Sequence, residues 1–276
     1  MFAKLIKHEW KSSAGFLGIL SLAALAAGLV GAGIVRFIFG YAMNLDAPDG
    51  VAAAIMEPMI VLLGFLVMAI FVYVLSVELL LFYRFYKSRF TDEGYLTFTL
   101  PVSSHQIFLS SLVNILIWSV ISAAVLVIAA ALMVWAGVSG SAEWGLGEIM
   151  ADIYEFYREG QLQLNLNDSY YILSLVSFPV DWIGSAVQVM TCITIGAVLA
   201  KKHKILTAVA FYYLLSMVTN VIFSFLSTMA LMARYNGAAV DIALMAQLTQ
   251  LVTRLLLAVG GYFLSIFLMK RKLNLP

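Results

Sequence analysis

The chain has 276 residues, of which 63% are hydrophobic and 11% charged, and a mean hydropathy of +0.99. Soluble domains average roughly 45–50% apolar and about 25% charged residues, so a water-soluble globule is excluded and an integral membrane protein is expected. The formal net charge of +1 constrains little, and Cys192, the only cysteine, rules out an intrachain disulfide.

The first element predicted is amphipathic. Phe2, Leu5, Ile6 and Trp10 recur at helical spacing, with Lys4, Lys7 and Lys11 on another face. That is the pattern of a helix lying in the headgroup region, cations against anionic lipid. Residues 1–13 are therefore expected to form an interfacial helix, and a charged flank of the first span is the plainer alternative. Glu9 is expected to pair locally with a lysine of the same segment. The first long apolar run follows this charged start and is long enough to span, so it is expected to stay as a transmembrane helix rather than be cleaved as a signal.

A membrane-spanning helix needs about 20 predominantly apolar residues. Six runs qualify, roughly 15–39, 57–83, 107–138, 171–200, 205–232 and 242–269. With six alternating spans, four groups of cations fall on one side. They are Lys4, Lys7 and Lys11; Arg84, Lys87 and Arg89; Lys201, Lys202 and Lys204; and Lys270, Arg271 and Lys272. The other side keeps Arg36, Arg158 and Arg234. Positive charge stays inside, which puts both termini in the cytoplasm. The expectation is an all-α polytopic membrane protein, with residues 1–276 as a single transmembrane domain.

Within the first span, Ala27/Gly31 and Gly28/Ala32 make small-xxx-small pairs, which let helices approach closely in lipid. They serve either packing within one subunit or a dimer seam. Glu57-Pro58 marks the expected outer start of the second helix. Glu78 lies six residues before Arg84, only about 9 Å inside the cytoplasmic boundary at ~1.5 Å per residue. A carboxylate in a span is a functional candidate, but at this shallow depth a structural role fits better. In the third run, Ser111, Asn114, Ser119 and Ser122 lie along one face, suited to interhelical hydrogen bonds or a wet cavity.

Residues 139–170 form the largest outer segment. Ile149, Ile153, Phe156 and Tyr157 give an amphipathic helix, with Glu148, Asp152, Glu155 and Glu159 on its other face. It is either a solvated surface helix or an acidic cap on an exit. Leu162, Leu164 and Leu166, alternating with polar residues, predict a short extended piece. In the fourth run, Phe178-Pro179 predicts a kink and Asp181 follows it. Arg254 sits well inside the sixth run. From the outer boundary, Asp181 lies about 15 Å deep and Arg254 about 20 Å. Their spans are parallel with one antiparallel helix between them, and an ion pair is expected because a lone charge there costs ~2.5–3.5 kcal/mol. A wet translocation path is the competing role for the two charges.

No GxxxxGK[ST], HExxH or Gly-x-Ser-x-Gly occurs, and His8, His105 and His203 lie in separate segments without metal-ligand spacing. The chain is not expected to be an enzyme or to bind metal or nucleic acid.

The longest polar segment on the cytoplasmic side is 84–106, RFYKSRFTDEGYLTFTLPVSSHQ. It carries Arg89, the acidic pair Asp92-Glu93, Gly94-Tyr95, an apolar alternation from Leu96 to Leu100, then Pro101-Val102 and a serine able to cap a new helix. Glu93, Gly94, Leu96 and Leu100-Pro101-Val102-Ser103, with the FAKLIKHEWK start and the six-span layout, resemble the ABC-2-type transporter permeases. In that family the segment between spans two and three is a coupling helix that docks on a separate ATPase. The resemblance therefore assigns coupling to Arg89, Asp92, Glu93, Gly94, Tyr95, Leu96 and Pro101. It departs from the family pattern at Ser111, where many members carry a lysine, and in the placing of the outer helix before span four.

The resemblance implies a dimeric permease in the plasma membrane, formed with itself or with a related chain, with ATP and Mg bound by the partner subunit. It also implies mostly export. An apolar and aromatic lining favours an amphipathic peptide, lipid or hydrophobic compound as cargo. The alternative is a stand-alone ion-coupled carrier or membrane sensor that uses Glu78, Asp181 and Arg254.

Overall fold

A computed structural model describes residues 2–42, 49–91, 94, 102–140, 145–164, 168–200, 202–235 and 242–271. The described residues form seven α-helices and no strand: α1 Phe2–Phe37, α2 Asp49–Phe90, α3 Ser104–Gly140, α4 Leu146–Leu164, α5 Asp168–Leu199, α6 Lys204–Tyr235 and α7 Ile242–Arg271. A π-helical turn, Ile38–Ala42, follows α1. All except α4 are long and apolar enough to cross a membrane, so the chain is a multi-pass membrane protein. Asp92, Glu93, Tyr95, Leu96 and Pro101 lie outside the described residues.

Four local expectations change. Residues 2–12 are not a separate helix but continue without a break into the first span, as one 36-residue helix. At ~1.5 Å per residue α1 is about 54 Å long against a hydrocarbon core of ~30 Å. Nothing interrupts it at Ser12-Ser13, because the Ser13 hydroxyl donates back to the Glu9 carbonyl at 3.0 Å and stays within the helix. The second helix starts at Asp49 rather than at Glu57, and Pro58 lies inside it. Residues 161–164, expected to be extended, belong to α4. Pro179 likewise lies within α5, which runs on to Leu199.

The helices group into two compact units, Met1–Leu5 with Phe82–Leu116 and Arg158–Pro276, and Ile6–Leu81 with Ile117–Tyr157. In the second unit the small residues of α1 are used within the chain. Ala24, Gly28, Gly31 and Ala32 are buried. A methyl placed on Gly28 would lie 2.8 Å from the Ala129 Cβ and 3.2 Å from its Cα, so α1 and α3 approach at a distance only glycine allows. Trp10 stacks on Trp118 with centroids 4.9 Å apart, and the Trp118 indole N–H donates to Ser13 Oγ at 3.1 Å. Ser21 and Tyr73 share a buried hydrogen bond of 2.8 Å that ties α1 to α2.

In the first unit α5 packs on both α6 and α7. Half of the apolar window of α5 is buried, against 6% of that of α6. Met190, Cys192 and Thr194 are closed off from solvent. At the α5–α6 turn, a methyl on Gly196 would stand 2.6 Å from the Ala208 backbone nitrogen.

Candidate functional site

Two arrangements in the first unit carry polar chemistry into an otherwise apolar bundle. The first is a ladder between α5 and α7. Ser177, Asp181, Gly184, Gln188 and Thr191 recur every three or four residues and so share one face of α5. On α7 the matching face carries Gln247, Gln250, Arg254, Gly261 and Ser265. Gln247 donates to Ser177 Oγ, Gln250 Nε2 to Asp181 Oδ2 at 3.3 Å, and Ser265 Oγ to Thr191 Oγ1 at 3.1 Å. Pairings advance equally along both helices, so α5 and α7 run parallel and pack directly. A methyl on Gly261 would lie 2.7 Å from Thr191 Oγ1, whereas one on Gly184 would meet nothing closer than 3.7 Å.

Asp181 and Arg254 meet inside this ladder. Arg254 Nε stands 3.7 Å from Asp181 Oδ1, with side chains 34% and 26% exposed. That is ion-pair range but too long for a hydrogen bond, and Oδ1 has no hydrogen-bond partner. The short contact of Arg254 is elsewhere: its Nη1 donates to Gln188 Oε1 at 2.6 Å. Gln188 Nε2 in turn donates to Ser216 Oγ on α6 at 3.4 Å. The amide of Gln188 therefore accepts from α7 with its oxygen and donates to α6 with its nitrogen. Gln188 and Gln250 are absent from the set of site residues read from charge alone. Their helical spacing from Asp181 and Arg254 is the signal that would have found them.

The second arrangement lies at the roots of the polar segment 84–106. Residues 84–90 extend α2 and residues 104–106 begin α3, so 91–103 is all that lies between these helices. Ser103 caps α3 as its type allows, its hydroxyl accepting from the Gln106 N–H while the Gln106 side chain accepts from the Ser103 N–H, both at 3.3 Å. Arg89 is buried, and its Nη2 donates to Ser111 Oγ at 3.0 Å. Phe108, fully buried, makes edge contacts with Phe85 at 6.1 Å and with Tyr262 of α7 at 5.5 Å. Lys204 Nζ, at the start of α6, donates to the Phe90 carbonyl at 3.4 Å. Gly94 N–H donates to the Thr91 carbonyl at 2.8 Å. A Cβ on Gly94 would collide with the Arg89 carbonyl oxygen, so this position admits only glycine without a shift of backbone.

Glu78 belongs to the other unit, where it accepts the Ser119 hydroxyl at 2.5 Å. The polar face of α3 is buried along its length: Ser111, Asn114, Ser119 and Ser122 are each under 5% exposed. Ser111 and Ser119 bond to other helices there, one in each unit.

No family model, curated protein or solved structure matches this chain.

Proposed function

We propose that this chain is the membrane-spanning permease subunit of an ABC-2-type ABC transporter in the plasma membrane. Two copies work with a separate ATPase subunit that binds ATP and Mg. The observation that carries this reading is the rooting of segment 84–106. The segment resembles the family's coupling motif. Its two ends are held to α6 and α7 by Lys204–Phe90, Arg89–Ser111 and the Phe85–Phe108–Tyr262 aromatic contacts. A force applied to 91–103 by a closing ATPase dimer would reach α2, α3, α6 and α7 together. That is what conversion between inward-open and outward-open states needs. The apolar and aromatic character of the helices favours export of an amphipathic peptide, lipid or hydrophobic compound.

The test is co-purification of the chain with the ATPase encoded beside it, followed by ATPase assays in lipid. Gly94→Val, which displaces the segment from Arg89, is expected to keep the permease inserted while abolishing stimulation of hydrolysis by transported compounds. Normal stimulation in that variant, or no ATPase bound to the wild type, would defeat the reading.

A second reading, a stand-alone ion-coupled carrier, is favoured by the Asp181–Arg254 pair, a quarter to a third exposed inside the span region. Transport that persists without any ATPase and collapses with the ion gradient would select it.

A further inference from the structure

The least enclosed span, α6, carries the longest polar stripe that the chain's own packing leaves open. At ~100° per residue, Tyr213, Ser216, Asn220, Ser224 and Ser227 fall within about 80° of arc. They cover roughly 21 Å of rise, most of a hydrocarbon core. Tyr213, Asn220 and Ser224 are exposed. Beside Met217 and Val221 they line an open groove of about 490 Å³. Other hydroxyls of the helix bond to its own backbone: Thr219 donates to the Leu215 and Ser216 carbonyls and Thr228 to that of Ser224. Among the described residues no bond engages the Asn220 amide, and the buried Ser227 hydroxyl has no partner. An amide facing hydrocarbon with nothing to bond is strongly disfavoured.

We infer that this stripe is the surface on which a second copy of the chain docks. Two copies inserted in the same sense are related by a two-fold axis along the membrane normal. A residue near that axis therefore meets itself. Asparagine is self-complementary under such symmetry, because its NH₂ donates while its carbonyl accepts, so two Asn220 amides exchange two equivalent bonds. Ser216 and Ser224, one turn to either side, are small enough for the helices to approach closely, as interhelical hydrogen bonding in lipid requires. The stripe carries no charge that would repel its own copy. Its inner edge is already fixed, because Ser216 accepts from Gln188 and so ties the surface to the ladder between α5 and α7. The inference deepens the transporter reading, resting on it for the need for two copies and naming the face they share.

Disulfide trapping tests it in native membranes, in a Cys192→Ser background. A disulfide needs Cα atoms within about 7 Å. Ser224→Cys and Asn220→Cys should give a cross-linked dimer. Val218→Cys and Met229→Cys should not: they are 48% and 50% exposed but lie on the far side of α6. Because Asn220→Cys removes the amide itself, the Ser224→Cys dimer is also followed with Asn220→Leu, expected to lose it, and with Asn220→Gln, expected to keep it. Equal cross-linking at all four positions would overturn the interface. So would inserted protein without a dimer at either stripe position, or alkylation of both by a water-soluble maleimide without cross-linking, which would mark a wet path. A complex with substrate-stimulated ATPase that cross-links only at 218 or 229 would sink the interface and spare the transporter reading. Stripe cross-linking in a chain that binds no ATPase would do the reverse.

Discussion

At residue scale the ladder is governed by distance rather than by formal charge. Arg254 is 2.6 Å from the neutral Gln188 oxygen and 3.7 Å from the Asp181 carboxylate. A hydrogen bond to a charged group contributes ~1.5–3 kcal/mol. Breaking a fully buried ion pair costs ~3–5 kcal/mol, but this pair is loose and partly exposed and should count for less. Gln188→Leu is therefore expected to destabilise the protein by ~1.5–3 kcal/mol, more than Asp181→Asn. Double-mutant cycles with Arg254→Gln, followed by thermal unfolding in micelles, measure both couplings. A larger coupling to Asp181 than to Gln188 would reverse the order argued from geometry.

At element scale the helices meet where side chains are missing, and the three glycines of the first unit are not equivalent. Gly196 faces the backbone of α6, which cannot step aside, with the Lys204 carbonyl oxygen at 2.7 Å from an added methyl. Gly196→Ala is expected to cost ~1–3 kcal/mol through overpacking. Gly184→Ala enters ordinary contact and should stabilise by up to ~1 kcal/mol, because alanine holds a helix better than glycine. Gly261→Ala falls between, since Thr191 can rotate but then releases Ser265. Melting temperatures in that order check the packing; a harmful Gly184→Ala would refute it. The outer helix α4 is different in kind. Residues 151–159 are all exposed, so Glu148, Asp152 and Glu155 changed together to Gln should leave ATPase stimulation nearly unaltered. A large loss for a cationic compound would make that face a cap on the exit.

The six spans were legible in the sequence because hydrocarbon imposes one strong, local requirement, a long apolar run. Where elements end was less so. Helix formation is locally favoured in water as well as in lipid, so α1 and α2 run on through the polar flanks at 2–12 and 84–90. The Asp181–Arg254 contact was argued from energy alone. Its amide partners escaped notice because glutamine carries no charge to mark it, although it bonds as well. The adjacency of α5 and α7, two spans separated by a third, is a property of packing that periodicity does not encode.

At the scale of the whole molecule the proposed function asks the cytoplasmic segment to move helices rather than merely to bind. Phe108 is the side chain best placed to separate those two tasks. It is completely buried between Phe85 at the end of α2 and Tyr262 on α7, and lies four residues after the start of α3. It touches no part of 91–103 that an ATPase would grip. Phe108→Leu keeps most of the apolar volume but loses both edge-to-face contacts, worth ~0.5–1.5 kcal/mol each beyond burial. Folding and ATPase docking should therefore survive, while motion of the segment is passed to α7 less faithfully. The expected outcome is a complex that co-purifies in normal yield and hydrolyses ATP at its basal rate, with stimulation by transported compounds reduced severalfold. Phe108→Ala would open a cavity costing ~3–5 kcal/mol and would confuse uncoupling with unfolding, so the leucine variant is the informative one. Full stimulation in Phe108→Leu would mean that the aromatic junction is only packing. Loss of ATPase binding would mean that it shapes the docking surface itself, and in either case the force would have to travel by Arg89 and Lys204 instead.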